Sequence, residues 1–109
     1  MPIPDFRAIM PVMLEHLADL QEHSDLEVTE SMADHFGLSL EERTRYLPGS
    51  DRKVFVDRVA WAKAELGMAG LIAIPRRGEA VITERGLDIL QQGQASLERE
   101  FYQRFPENS

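Results

Sequence analysis

Cysteine is missing from all 109 residues. Its absence excludes disulfides and thiolate metal sites and fits a reducing compartment. No apolar run nears the roughly 20 residues that span a bilayer. The N-terminus has no basic stretch followed by an apolar one, as a secretory signal would. A cytoplasmic protein without membrane attachment is therefore expected. There is no His-Glu-x-x-His, no phosphate-loop glycine pattern and no serine–histidine triad order, so catalytic residues, metal ligands and cofactors are all expected to be none. His16, His23 and His35 lack metal-ligand spacing and are read as surface or boundary side chains. Glu41–Glu42 and the Asp19 to Glu22 stretch offer charge and nothing further.

Positive charge is also scarce, with 12 lysines and arginines against 19 acids and a net charge of −7. Taken alone, that argues against a nucleic-acid binder. The distribution is uneven. Residues 1–50 hold Arg7, Arg43 and Arg45 against ten acids, and residues 87–109 hold Arg99 and Arg104 against four. Residues 51–86 reverse the sign, with seven cations against five acids. Charges act mainly within about 10 Å at moderate salt, so the local surplus matters more than the total.

What is present is organised around Val54 to Gly86. Phe55, Val59, Ala62, Leu66 and Ala69 recur at helical spacing, a stripe of roughly 80° on the wheel. Gly70 follows as a helix stop. Leu71–Ile74 and Glu79–Ile82 are short apolar strands joined by the turn Pro75-Arg76-Arg77-Gly78, and Thr83 is placed to cap another helix. Helix, hairpin with a basic tip, helix is the layout of a winged helix. The fold class expected is mostly α with a small β-hairpin, a winged helix-turn-helix.

The chain is long enough for one domain over residues 1–109. Residues 1–50 carry helices 1 and 2 and a short helix, 51–86 the recognition helix and wing, and 87–109 the C-terminal helices. Asp5 can cap a first turn, and Pro11 is expected in the first turn of a main helix ending near His23. Leu26-Glu27-Val28 reads as a short extended piece, with Thr29 capping helix 2. Ser39 and Glu42 form a capping box. Pro48-Gly49 breaks the chain, and Ser50 or Asp51 caps the long third helix. A short helix after Thr83 breaks near Gly93, and a last amphipathic segment runs from Ala95 to Phe105.

Several of these runs resemble the N-terminal domain of Mrr-type restriction proteins. They are Leu47-Pro48-Gly49-Ser50, Asp57-Arg58-Val59-Ala60-Trp61-Ala62, Ala69-Gly70-Leu71-Ile72, Pro75-Arg76-Arg77-Gly78 and Ile82-Thr83-Glu84-Arg85-Gly86. Pro11-Val12-Met13-Leu14 and Phe105-Pro106-Glu107 also match, so the likeness spans nearly the whole chain. The resemblance implies a winged helix that delivers duplex DNA, modified or unmodified, to a nuclease domain in cis or trans. The nuclease's own motif, Asp followed by Gln-x-Lys or Glu-x-Lys, has no counterpart here. Trp61 stands two residues before Lys63, and Asp51 two before Lys53. DNA binding without cleavage is the expectation, in a cut-out module or a stand-alone copy.

Candidate DNA-binding residues follow. Arg76 and Arg77 at the wing tip can lie on the sugar-phosphate backbone or in the minor groove. The plain alternative is a solvated turn. Ser50, Arg52 and Lys53 open the long helix, where N–H groups and early side chains face phosphate and base edges. Arg58 and Lys63 flank the apolar stripe, and Arg58 is read as a structural ion-pair partner. Trp61 is read as core. Ala60 and Ala64, on the outward face, suit close approach by another backbone, although alanine is also simply the best helix former. Phe101, Tyr102 and Phe105 either fold back or pair with a second chain. A homodimerising or protein-docking module without DNA contact is the alternative function, because fold does not fix function.

Overall fold

Asp5 starts the first helix. In the computed structural model, which describes residues 3–93 and residue 99, its carboxylate accepts from the Ala8 N–H at 3.0 Å, and α1 spans Phe6–His16. Pro11 lies inside α1, not in its first turn as expected. Proline offers no N–H to the Arg7 carbonyl, but Arg7 is exposed, so water can serve that group. Ile9, Met10, Met13 and Leu14 are buried on either side and hold the helix through the break.

The helix stops at His16 rather than near His23. A 3₁₀ turn at Leu17–Asp19 and Leu20, at φ 69°, reverse the chain. A left-handed leucine costs about 1–2 kcal/mol, and burial of Leu17 at the corner holds it in place. The extended piece therefore falls earlier than expected, as β1 at His23–Ser24. Ser24, not Thr29, caps α2 (Asp25–His35), accepting from the Glu27 N–H at 3.1 Å. Asp25 and Glu27 then lie in the first turn, where negative charge suits the helix dipole. Val28, Met32 and Ala33 form its buried stripe.

The capping box forms as read. Ser39 N–H donates to Glu42 Oε1 at 2.8 Å, Glu42 N–H donates to Ser39 Oγ at 3.1 Å, and α3 covers Leu40–Thr44. The chain then makes a narrow loop. Tyr46 bridges to Lys53, Leu47 N–H donates to the Arg52 carbonyl, and Val54 N–H donates to the Arg45 carbonyl. This pairing keeps the backbone extended up to Lys53, so neither Ser50 nor Asp51 caps the long helix. Lys53 occupies the cap position and contributes no side-chain cap.

The long helix, α4, spans Val54–Met68 and buries Phe55, Val59, Ala62 and Leu66. Gly70, at φ 78°, ends it. Gly70 N–H returns to the Gly67 carbonyl and Leu71 N–H to the Leu66 carbonyl, the paired bonds of a Schellman stop. β2 (Ile72–Ala73) and β3 (Glu79–Ile82) pair antiparallel, Ile72 opposite Ile82 and Ala73 opposite Val81. β1 joins the other edge of β3, His23 opposite Ala80, giving the order β1-β3-β2. Thr83 caps α5 (Glu84–Gln92), accepting from the Gly86 N–H, and its hydroxyl donates to the Gly70 carbonyl at 2.7 Å.

The core forms where α1 crosses α4, with α2, the small sheet and α5 closing it. The result is mostly helical with a small antiparallel sheet, the winged helix-turn-helix expected from the sequence. Among the described residues no helix is long and apolar enough to cross a membrane.

Candidate nucleic-acid interface

The wing is a two-residue strand, a turn and a four-residue strand. Its tip, Pro75-Arg76-Arg77, is exposed, and Gly78 turns back at φ 84°. The wing is anchored close to its tip, since Asp25 N–H donates to the Gly78 carbonyl at 2.9 Å. Among the described residues neither Arg76 nor Arg77 is in an ion pair. Two guanidinium groups thus stand in water on a tied-down hairpin.

The second predicted cluster lies at the start of α4. Ser50, Asp51 and Arg52 are exposed on the loop and Lys53 is half-buried. The Ser50 hydroxyl accepts from the Arg52 N–H at 3.0 Å, so it organises the loop rather than the helix. Arg52 pairs with Asp57 one turn into α4, which offsets part of its charge. Lys53 borders a groove shared with Leu26, Glu30, Arg43 and Val56. No hydrogen bond or ion pair among the described residues joins this cluster to the wing. The N-terminal turn of α2 lies between them, with Asp25 on Gly78 and Leu26 beside Lys53.

Ala60 and Ala64 face outward as predicted, and Val56 joins them at 45% exposure. The outer face of α4 is therefore small and apolar, with few groups able to read a base edge. Two side-chain expectations change. Trp61 is half exposed, stacked on Phe6 at 4.2 Å between ring centroids, with its indole N–H donating to Glu65 Oε1. Being at the edge of the stripe, it lies beyond the α1–α4 seam and covers Phe6 from outside. Arg58 is structural as read, but its partners are main-chain carbonyls, Ile3 at 2.6 Å and Pro4 at 3.2 Å, not an acid. Lys63 is tied to Asp25 at 2.8 Å. Phe101, Tyr102 and Phe105 lie outside the described residues.

The protein-family comparison matches residues 6–92 to the Mrr N-terminal domain. The chain belongs to that family. The matched unit is an N-terminal domain and not a nuclease domain, in line with the lack of a nuclease motif in the sequence. Neither the curated proteins nor the solved structures return a match. In this Mrr N-terminal domain the matched region contains the loop, α4 and the whole wing.

Linear spacing conceals one further constellation. Glu27 Oε1 lies 3.0 Å from His16 Nε2 and 2.8 Å from His23 Nδ1, while Asp19 Oδ1 lies 2.9 Å from His23 Nε2. Burial of the His23 ring opposes its charge. The carboxylates on both ring nitrogens outweigh that and hold its pKa above the usual histidine value. The same hydrogen bond from His23, helped by the Gln21 N–H, holds Asp19 below the usual carboxylate range. Partial burial pushes Glu27 up, but its bonds to His16 and His23 prevail and lower it. The reversal at Leu20 is what brings His23 back over His16, and no local pattern announces it.

Proposed function

We propose that this Mrr N-terminal domain binds duplex DNA through the wing, with Arg52 and Lys53 as a second contact. The observation that carries the reading is the pair Arg76 and Arg77, exposed and without ion-pair partners among the described residues, on an anchored hairpin in a chain otherwise acidic. Guanidinium groups so placed suit phosphate contact, which positions a protein on DNA without reading sequence. The small outer face of α4 favours backbone and groove-shape recognition over base readout.

Anisotropy titration with unrelated duplexes at low salt tests this. The Arg76→Ala, Arg77→Ala double variant should lose about tenfold or more in affinity, equally for all sequences. A double variant that binds like the parent rules the wing out. A second reading rests on Val56, Ala60 and Ala64, together with Leu26 at 72% and Leu40 at 77% exposure, an apolar surface suited to a partner protein or a second copy. Sedimentation across concentrations separates the two. A tight dimer with no DNA shift supports the second reading.

A further inference from the structure

We propose that His16, His23 and Glu27 form a binding site for one zinc ion, with Asp19 positioning His23. The inference stands apart from DNA binding and uses none of the wing residues. Four elements meet at this corner: the end of α1, the 3₁₀ turn, β1 and the first turn of α2. They bring two imidazoles and a carboxylate onto one point, with the His16 and His23 ring centroids 4.9 Å apart. One ligand atom from each of the three residues lies within 4.8 Å of the others. Tetrahedral zinc, with bonds of about 2.0–2.2 Å, needs its ligand atoms about 3.3–3.5 Å apart. Glu27, at 2.8 and 3.0 Å from the two imidazole nitrogens, has to draw back by about half an ångström and the imidazoles to close on each other by about an ångström, which side-chain rotation supplies.

The donor chemistry fits. Two imidazole nitrogens and a carboxylate oxygen are a zinc ligand set, with a fourth position left for water. Hard cations such as magnesium and calcium prefer an all-oxygen shell. The surroundings fit as well. A ligating histidine usually gives its other N–H to a carboxylate, which fixes the tautomer and raises its basicity. Asp19 takes up that role at His23 Nε2, at 2.9 and 3.0 Å to its two oxygens, leaving Nδ1 aimed at Glu27. Asp19 is itself held by the Gln21 N–H at 2.9 Å, and Glu27 Oε2 accepts from the Ser31 hydroxyl at 3.3 Å. An open groove lined by Val12, Glu15, Ser31, Met32 and His35 leads to His16. Binding replaces the protons between the histidines and Glu27, and these leave to solvent. The ion would clip β1, the outer strand of the wing sheet, to α1 and α2.

The test uses the tag-free 109-residue chain and zinc chloride alone. Equilibrium dialysis with metal counting should give one zinc per chain. His16→Ala and His23→Ala should each abolish stoichiometric binding, and His35→Ala should leave it intact. Asp19→Asn should keep the stoichiometry with affinity about 10–100-fold weaker. Cobalt in place of zinc should give the visible absorption of a four-coordinate site, lost in His16→Ala. That last arm decides the matter even if His23→Ala does not fold. No bound zinc at equimolar metal, or equal binding by His16→Ala, overturns the proposal and leaves a proton-held ion-pair cluster.

Discussion

A β-carbon on Gly86 would lie 2.3 Å from the Leu71 carbonyl oxygen and 2.8 Å from Ile82 Cγ1. The first neighbour is backbone, so no rotamer change relieves the clash. Gly86→Ala should therefore push α5 off the sheet, despite alanine's better helix propensity, and cost about 2 kcal/mol or more. A urea midpoint equal to the parent's would refute this. The close approach could not be read from the sequence, where Gly86 is one glycine in a helix. Local capping was legible. Ser39, Gly70 and Thr83 act on groups one to four residues away, and each plays its expected part. Ser24, with Glu27 three residues on, has the same local spacing as Ser39 and Glu42 and could have been read as the cap of α2. Leu20 and the stacked position of Trp61, by contrast, depend on tertiary contacts and could not be placed from spacing alone.

At the scale of the element, α3 gives the sharpest test. Glu42 is the one buried charged residue among the described ones. The Ser39 N–H, donated to its carboxylate, holds its pKa below the ordinary 4.5. A carboxylate with a lowered folded pKa stabilises the protein above the unfolded pKa. That contribution is lost as pH falls through the folded value, because the unfolded chain takes up the proton first. Glu42→Gln keeps an acceptor for the Ser39 N–H and removes the titration. Its melting temperature should fall below the parent's near pH 7 and converge with it as the pH falls below the ordinary 4.5 and through the lower folded value. A constant gap across that range would show that the charge plays no part. The long helix and the hairpin were legible for a similar reason. Their apolar periods are strong, and Gly70 and the Pro75 to Gly78 turn mark their ends. β1 was not, because two residues hold no period, and their pairing with β3 is set by the reversal at Leu20.

Across the whole molecule, the charge asymmetry sets how DNA binding must depend on salt if the proposed function holds. The candidate contacts supply four cations: Arg52, Lys53, Arg76 and Arg77. Each phosphate neutralised contributes about −0.9 to the slope of log affinity against log salt. Four give about −3.6, and affinity should fall about a hundredfold between 50 and 200 mM salt. Arg52 is already paired with Asp57, so it releases less counterion and the measured slope should lie nearer −3. Removing Arg76 and Arg77 should flatten it by about 2. The chain as a whole, with a net charge of −7, repels DNA at long range and slows encounter. Adding salt screens that repulsion as well as the attraction. Binding should therefore be weak at every salt concentration unless two copies act together or another domain contributes. A slope that stays near −3 in the double variant would place the phosphate contacts away from the wing. A slope near zero in the parent, together with self-association, would favour the apolar α2–α4 surface as the working face.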